Sequence, residues 1–205
     1  MKVILFNGSP KEKGCTHAAL NIIKEELEKN GVNAEIFHAG KTTKGCVGCG
    51  FFAKNGKSIT DDSVNEARFL LDDADAFVFG SPVHYASMSG AMTSFLDRLF
   101  YAGGKKLCQK PCAVVASCRR AGSTTTIDQL LKYPEFMQMP IINGQYWPMV
   151  HGNTPEEVMK DSEGIQVMRT IAKNMAWILK CIEAGKSKGI NPPETEEKIK
   201  TNYIR

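Results

Sequence analysis

The sequence predicts one α/β domain: a parallel sheet with helices on both faces. Three observations predict it. Short apolar runs alternate with segments of helical period. The runs at 3–6, 76–79 and 112–116 are apolar throughout, as strands covered on both faces are. Polar loops leave the carboxyl ends of these runs at 7–16, 81–89 and 117–123, where parallel α/β sheets bind ligands.

Residues 3–6, Val-Ile-Leu-Phe, form a buried strand bounded by Asn7-Gly8. Residues 16–30 place Ala18, Ala19, Ile22, Ile23 and Leu27 at helical spacing, and Asn30-Gly31 ends that helix. Residues 34–38 are the second strand, and 40–58, rich in Gly, Lys and Thr, read as a long loop. Residues 61–73 are an amphipathic helix with Val64, Ala67, Leu70 and Leu71 inward. The third strand, 76–79, closes on Gly80-Ser81-Pro82. A helix at 90–101 buries Met92, Phe95, Leu96 and Leu99. The fourth strand is 112–116, a helix begins at 124–131, the fifth strand is 140–143, and 156–184 hold the last helix or helices. The chain divides into a domain at 1–185 and a polar tail at 186–205, which lies on the surface or on a partner subunit. Right-handed crossovers, five strands and an anion loop after the first match the flavodoxin-like order 2-1-3-4-5.

With 205 residues, 42% hydrophobic and 23% charged, the chain suits one soluble domain with a sizeable core. No apolar run is long enough to span a membrane, and the start lacks the pattern of a signal peptide, so a cytoplasmic location is expected. A net charge of +4 is too small to argue for nucleic acid and suits small anionic ligands. Seven cysteines, an odd number in mostly apolar surroundings, read as reduced thiols.

The stretch FNGSPKEKGCT, residues 6–16, joins a buried strand to a helix start through small residues. Backbone N–H groups at such a junction, with the helix dipole, favour an anion. Ser9 and Thr16 add hydroxyls, and Lys11 and Lys13 add charge. It is not a P-loop, because Gly14 is followed by Cys15-Thr16 rather than Lys, and Gly8-Ser9-Pro10 breaks the dinucleotide glycine pattern. A single phosphate monoester, such as that of FMN, fits these donors better. The second loop, SPVHYASMSG at 81–90, leaves its strand on a path set by Pro82 and offers His84 and Tyr85 as flat surfaces for a planar ring. The third, SCRRAGS at 117–123, brings Arg119 and Arg120 toward a phosphate or a pyrimidine carbonyl. Taken singly each loop also reads as ordinary surface; their common sheet edge makes them one site.

NGSPKEKGCT and GSPVHYASMSGAMTSFLDR resemble the paired FMN-binding signatures of the flavodoxin-like NAD(P)H-dependent FMN reductase family, which groups with iron–sulfur flavoproteins and multimeric quinone reductases. CRRAGSTTTIDQL with QMPIINGQYWPMVHG resembles one branch of it. The resemblance covers residues 1 to about 184. It implies a flavodoxin-like fold, noncovalent FMN and a homodimer or homotetramer. By position, Ser9, Lys11 and Thr16 bind the FMN phosphate, with Cys15, where many relatives have Asn, a neutral thiol beside it. Pro82, Val83, His84 and Tyr85 line the isoalloxazine, and Ser117, Arg119, Arg120 and Gly122 form a third wall. No metal site is expected.

Cys46-Val-Gly-Cys49 reads as idle thiols, a redox pair, half a zinc site or cluster ligands. The four-cysteine run of iron–sulfur flavoproteins would continue at Phe52 and near Ser58, so no iron–sulfur cluster and no zinc are expected. Tyr146 and Trp147 are candidates to cover a neighbouring subunit's flavin or to pack in the core. His151, with no carboxylate at ligand spacing in the sequence, is not expected to bind metal, and Met88, Met92, Met168, Met175 and Trp177 read as packing residues. The resulting expectation is an FMN-dependent oxidoreductase taking electrons from NAD(P)H to a quinone, a flavin or another small acceptor. The flavin carries the hydride, with His84 and Tyr85 as candidate proton donors to an acceptor. The alternatives are a flavodoxin-type carrier without its own turnover and a non-catalytic flavin-binding module.

Overall fold

The computed structural model describes residues 1–42 and 44–203; residues 204 and 205 of the expected tail lie outside the described residues. Strands β1 (Lys2–Asn7), β2 (Asn33–His38), β3 (Ala76–His84), β5 (Cys112–Cys118) and β6 (Met149–His151) form a parallel sheet in the order β2-β1-β3-β5-β6. A two-residue strand, β4 (Ser87–Met88), pairs antiparallel with the end of β3. With β4 set aside, the order is the expected 2-1-3-4-5.

Alternation along β1 divides the core. Val3 and Leu5 face helices α1 (Cys15–Lys29) and α7 (Ser162–Lys186), where Ile23, Leu27, Ile171 and Met175 are fully buried. Ile4 and Phe6 face α3 (Ser63–Asp73), α4 (Gly90–Leu107) and α5 (Ser123–Phe136). On that side Phe6 stacks on Phe79 at 5.7 Å and meets Phe95 at 5.2 Å, so rings from β1, β3 and α4 lock two strands to a helix.

Several elements differ from the sequence reading. The fifth strand is Met149–His151, not 140–143, where Ile141 makes an isolated bridge to Cys112. Pro140 and Pro148 accept hydrogen bonds from Cys112 N and Ala116 N through their carbonyls, but neither has an N–H to donate, and Asn143-Gly144 breaks the run between them. The expected loop at 40–58 contains a 3₁₀ turn (Ala39–Lys41) and a short helix, α2 (Phe51–Asn55). Helix α4 continues through Gly103-Gly104, where a Cβ on Gly103 would lie 2.4 Å from Leu71 Cδ1; the glycines that suggest a stop bring α3 close. Helix α5 runs past Pro134 to Phe136. The last segment splits into α6 (Pro155–Val158) and α7. Beyond it, Gln109 donates to Pro193 O at 2.8 Å and Lys198 sits 3.8 Å over the Phe136 ring, which hold the tail against the amino edge of the sheet.

Burial pushes the Cys112 thiol, in the middle sheet, up to about 12. Burial also raises Cys118 and Tyr133, and the Asp97 carboxylate bonded to the Tyr133 phenol raises it further. Unfolding returns these groups to their ordinary range. Above pH 9.0, the ordinary thiol value, the unfolded chain gives up protons that the folded chain keeps. Stability is therefore full below that pH and falls as the pH rises toward 12. Urea midpoints measured from pH 7 to pH 11 should drop above about pH 9, and Cys112→Ala should make that alkaline slope shallower.

Candidate functional site

The first loop is folded from within. Asn7, fully buried at the end of β1, donates Nδ2–H to Glu12 O at 2.8 Å and accepts Ser9 N–H at Oδ1 at 3.1 Å. Ser9 Oγ accepts from Lys11 N at 3.1 Å. His38 donates through Nε2 to Ser9 O at 2.9 Å, and Gly40 packs so closely that a Cβ there would lie 1.8 Å from the same oxygen. Helix α1 then starts at Cys15 with Gly14 as a cap that has no side chain to offer. The N–H groups of Cys15, Thr16 and His17 have no partner among the described residues. Helices α3, α4 and α7 are instead capped by Asp62, Ser89 and Asp161.

The second loop is a tight hairpin. Val83 pairs with Met88 and His84 with Ser87, and the two residues between them, Tyr85 and Ala86, are left-handed at φ 50 and 55. Such turns favour Asn-Gly, and two side-chain-bearing residues in them hold about 1–2 kcal/mol of strain each. The strain is held from three sides. Ser89 donates Oγ–H to Gly8 O at 2.7 Å and its N–H to Ser81 Oγ at 2.9 Å. Gln129 of α5 accepts from Ser87 Oγ at 2.7 Å and Met88 N at 2.9 Å. Gly122, at φ 91, lies so near that a Cβ would come within 2.6 Å of Ala86 Cα. Pro82 and Val83 are half-buried, His84 is exposed, and Tyr85 is fully exposed.

The third loop is tied to the first through the interior. Thr16 Oγ1 and Ser117 Oγ lie 2.8 Å apart, both buried. Thr16 therefore keeps its backbone N–H for a ligand while its hydroxyl is engaged. Cys15 Sγ donates to Gly152 O at 3.5 Å, and Gly152 N donates to Cys118 O at 3.0 Å, which adds the end of β6. Burial pushes the Cys15 thiol up, with Glu157 adding to the rise, so it is neutral at neutral pH. Lys11, Arg119 and Arg120 are exposed and form no ion pair among the described residues. The structure thus joins Thr16 to Ser117 on one side and packs Val83 and Ala86 against Gly122 on the other, while Ser9 is held by Asn7, His38 and Gly40. The sequence reading missed Asn7, Gly40, Ser89 and Gln129. Asn7 and Ser89 had local signals, a polar residue ending an apolar strand and a serine directly before a helix start. Beside His151, Asp161 Oδ2 lies 3.7 Å from its Nδ1 and accepts its backbone N–H at 2.7 Å, a carboxylate ten residues away in the sequence. Among the described residues no three His, Cys, Asp or Glu side chains gather as metal ligands.

Cys46 and Cys49 are exposed on a loop beside a cavity of about 380 Å³ that Phe52, Ile59 and Tyr101 also line. Its wall is built by Arg98, whose side chain is 3% exposed. The guanidinium bonds Asp62 at 2.6 and 2.8 Å, Ser58 Oγ at 2.6 and 3.2 Å, Thr60 O at 3.1 Å and Lys44 O at 3.1 Å.

The NADPH-dependent FMN reductase family model matches residues 1–154. This chain belongs to that family. An iron–sulfur flavoprotein of Methanocaldococcus jannaschii is 31% identical over 197 residues, covering 89% of this chain and all of the relative. One of Archaeoglobus fulgidus is 29% identical over 169 residues, covering 80% and 83%. The flavoenzyme NAD(P)H:acceptor oxidoreductase FerB of Paracoccus denitrificans has the same fold, with a TM-score of 0.64 at 12% identity over 88% of this chain and 97% of its own. The protein is a flavodoxin-like, FMN-linked flavoprotein oxidoreductase.

The two cofactors these relationships imply fit unequally. For FMN, the uncapped N-terminus of α1 presents N–H groups with no partner among the described residues, and that donor set fits a phosphate. For a four-iron cluster the donor set falls short. Such clusters take four thiolates, and this loop has two. The wall opposite them is a buried guanidinium that already engages Ser58.

Two stability outcomes test this geometry. Ser117→Ala should cost about 1–3 kcal/mol, because it strands the buried Thr16 hydroxyl, whereas Thr16→Val with Ser117→Ala should cost less than the two single changes added. A double-mutant cycle by urea unfolding reads this. Arg98→Ala should cost about 3 kcal/mol, since it leaves Asp62 and Ser58 without their partner, and proteolysis should then cut the chain between residues 44 and 62.

Proposed function

We propose that this protein is an NAD(P)H-dependent flavin reductase that passes electrons through bound FMN to a small acceptor such as a quinone, a free flavin, or a nitro or azo compound. The observation that carries the reading is the uncapped start of α1, facing two loops that are tied to it and to each other. Bound FMN would take hydride from the reduced nicotinamide and deliver electrons to the acceptor. The backbone of Cys15 and Thr16, with Ser9 and Lys11, would hold the phosphate. Pro82, Val83, His84 and Tyr85 would border the ring system, and Ser117, Arg119, Arg120 and Gly122 would close the third side. The free guanidinium groups of Arg119 and Arg120 favour negative charge on the cofactor. His84 and Tyr85, exposed at the hairpin, would be the groups to hand a proton to an acceptor. A neutral Cys15 adds no negative charge beside the phosphate.

The same reading takes FMN as the redox centre without an iron–sulfur cluster, which the two-thiol loop supports. It takes residues 1–185 as the flavin domain and 186–205 as a tail laid on its surface. Tyr85, fully exposed at the rim, supports a homodimer or homotetramer in which a second copy covers it. The free state of all seven cysteines supports a reducing, cytoplasmic setting. No helix among the described residues is long and apolar enough to cross a membrane.

The purified protein should be yellow, with bands near about 370 and 450 nm, and should oxidise NADPH or NADH steadily when a quinone is added. A colourless protein that also fails to take up FMN would overturn the flavin site; FMN binding without turnover on any acceptor would favour the carrier. Cys15→Asn should retain FMN, and fluorescence titration of the released flavin measures it.

A further inference from the structure

Strand β5 has a gap on its outer side. Phe77 N donates to Pro111 O, so the odd-numbered residues of β5 bond toward β3 and the even-numbered ones face away. Three of those even positions are paired. Cys112 bonds Pro140 O and Ile142 N, Ala116 N bonds Pro148 O, and Cys118 O accepts Gly152 N. Neither the N–H nor the C=O of Val114 has a partner among the described residues, although Val114 is only 1% exposed.

Register explains the gap. Cys112 faces Ile141 and Ala116 faces Met149, so four steps along β5 oppose eight along the neighbouring segment. The four surplus residues bulge out of the sheet, and both ends of the bulge are tied elsewhere. Asn174 of α7 donates to Asn143 O at 2.8 Å, and Met149 N donates to Trp147 O at 2.8 Å. The bulge cannot fall back onto Val114 without breaking these bonds. Between them lies a cavity of about 570 Å³, within the size range of small-ligand pockets.

We propose that this cavity is a binding site for a small, neutral, flat molecule with a hydrogen-bond acceptor beside a donor on one edge, as in a lactam or an aromatic carboxamide. Such an edge answers the Val114 N–H and C=O together. Buried backbone groups without a partner are rare, and those that occur are met by water or a ligand. The floor, Val114, Ile127 and Leu131, is aliphatic and suits a flat ring. The rim carries Asn143, Gln145 and the half-exposed pair Tyr146 and Trp147, whose rings meet edge to face at 4.7 Å. No charged side chain lines the cavity, so an ionised ligand would lose water without gaining a counter-charge. An added peptide strand is a poor match, because one unpaired residue does not make a ladder. The inference stands on the sheet geometry and does not depend on the flavin reading.

The test uses the full chain with its flavin, labelled with ¹⁵N, and three probes of one shape: benzamide, benzoate and toluene. Benzamide should move the Val114 amide and Trp147 indole resonances saturably, while equal concentrations of benzoate and toluene should not. Leu131→Trp, which fills the cavity, should abolish the response. Should that variant not fold, Gln145→Glu, an exposed change at the rim, should raise the affinity for benzamidinium relative to benzamide. An unmoved Val114 amide, an equal response to toluene, or a benzamide-soaked crystal with only water on Val114 would overturn the proposal.

Discussion

A single hydroxyl joins the parts of the flavin cradle. Ser89, with no exposed surface, donates to the Gly8 carbonyl of the first loop and accepts Met92 N–H as the cap of α4. Its own N–H reaches Ser81 Oγ at the start of the second loop. A hydroxyl can donate once and accept twice, so one small residue can fasten a loop, a hairpin and a helix. Alanine at this position would leave the Gly8 carbonyl and the first turn of α4 unsatisfied in a site without water access, a cost that falls on all three elements together. The hairpin turn depends on this fastening most, because Tyr85 and Ala86 hold left-handed conformations that neither residue prefers.

Helix α1 begins without the side-chain cap that its neighbours have. Where α3, α4 and α7 begin, an Asp or Ser side chain answers the first free N–H groups. Where α1 begins, Gly14 answers none of them, and the neighbouring loop is held by bonds that leave those groups alone. Rigidity comes from behind the loop, through Asn7, His38 and the close approach of Gly40, rather than from the face a phosphate would occupy. A site organised in this way can stay open for its ligand and still lose little order without it.

Much of this was legible in the sequence. The uniformly apolar runs gave away β1, β3 and β5, and the three loops at their carboxyl ends do converge, with Thr16 bonded to Ser117 and Gly122 packed on Ala86. The loops could be found because strand ends and small residues carry local signals. The bonds that hold them could not, because Gly8 and Ser89 are 81 residues apart and Ser87 and Gln129 are 42 apart, and no pattern of spacing pairs them. Arg98 was invisible for the same reason: a lone arginine on an amphipathic helix reads as solvated, yet here it gathers residues from 44 to 62 around one guanidinium. That clamp ties the ends of the loop that carries the two cysteines through charge-assisted bonds.

The one misplaced strand is instructive in a different way. Residues 140–143 look like a strand, and their first half does reach β5, through the bridge of Ile141 to Cys112. A regular fifth strand would have continued to pair at Val114. The chain instead inserts four residues, spends them on Gly144 to Trp147, and rejoins the sheet at Met149. Local rules fail where a sequence departs from the simplest packing, and such departures persist when something offsets their cost. Here the cost is a buried N–H and C=O without partners among the described residues, and the gain is an uncharged hollow against the sheet. The same four residues that hid the fifth strand from the sequence reading therefore create the cavity, and pairing Val114 would erase both.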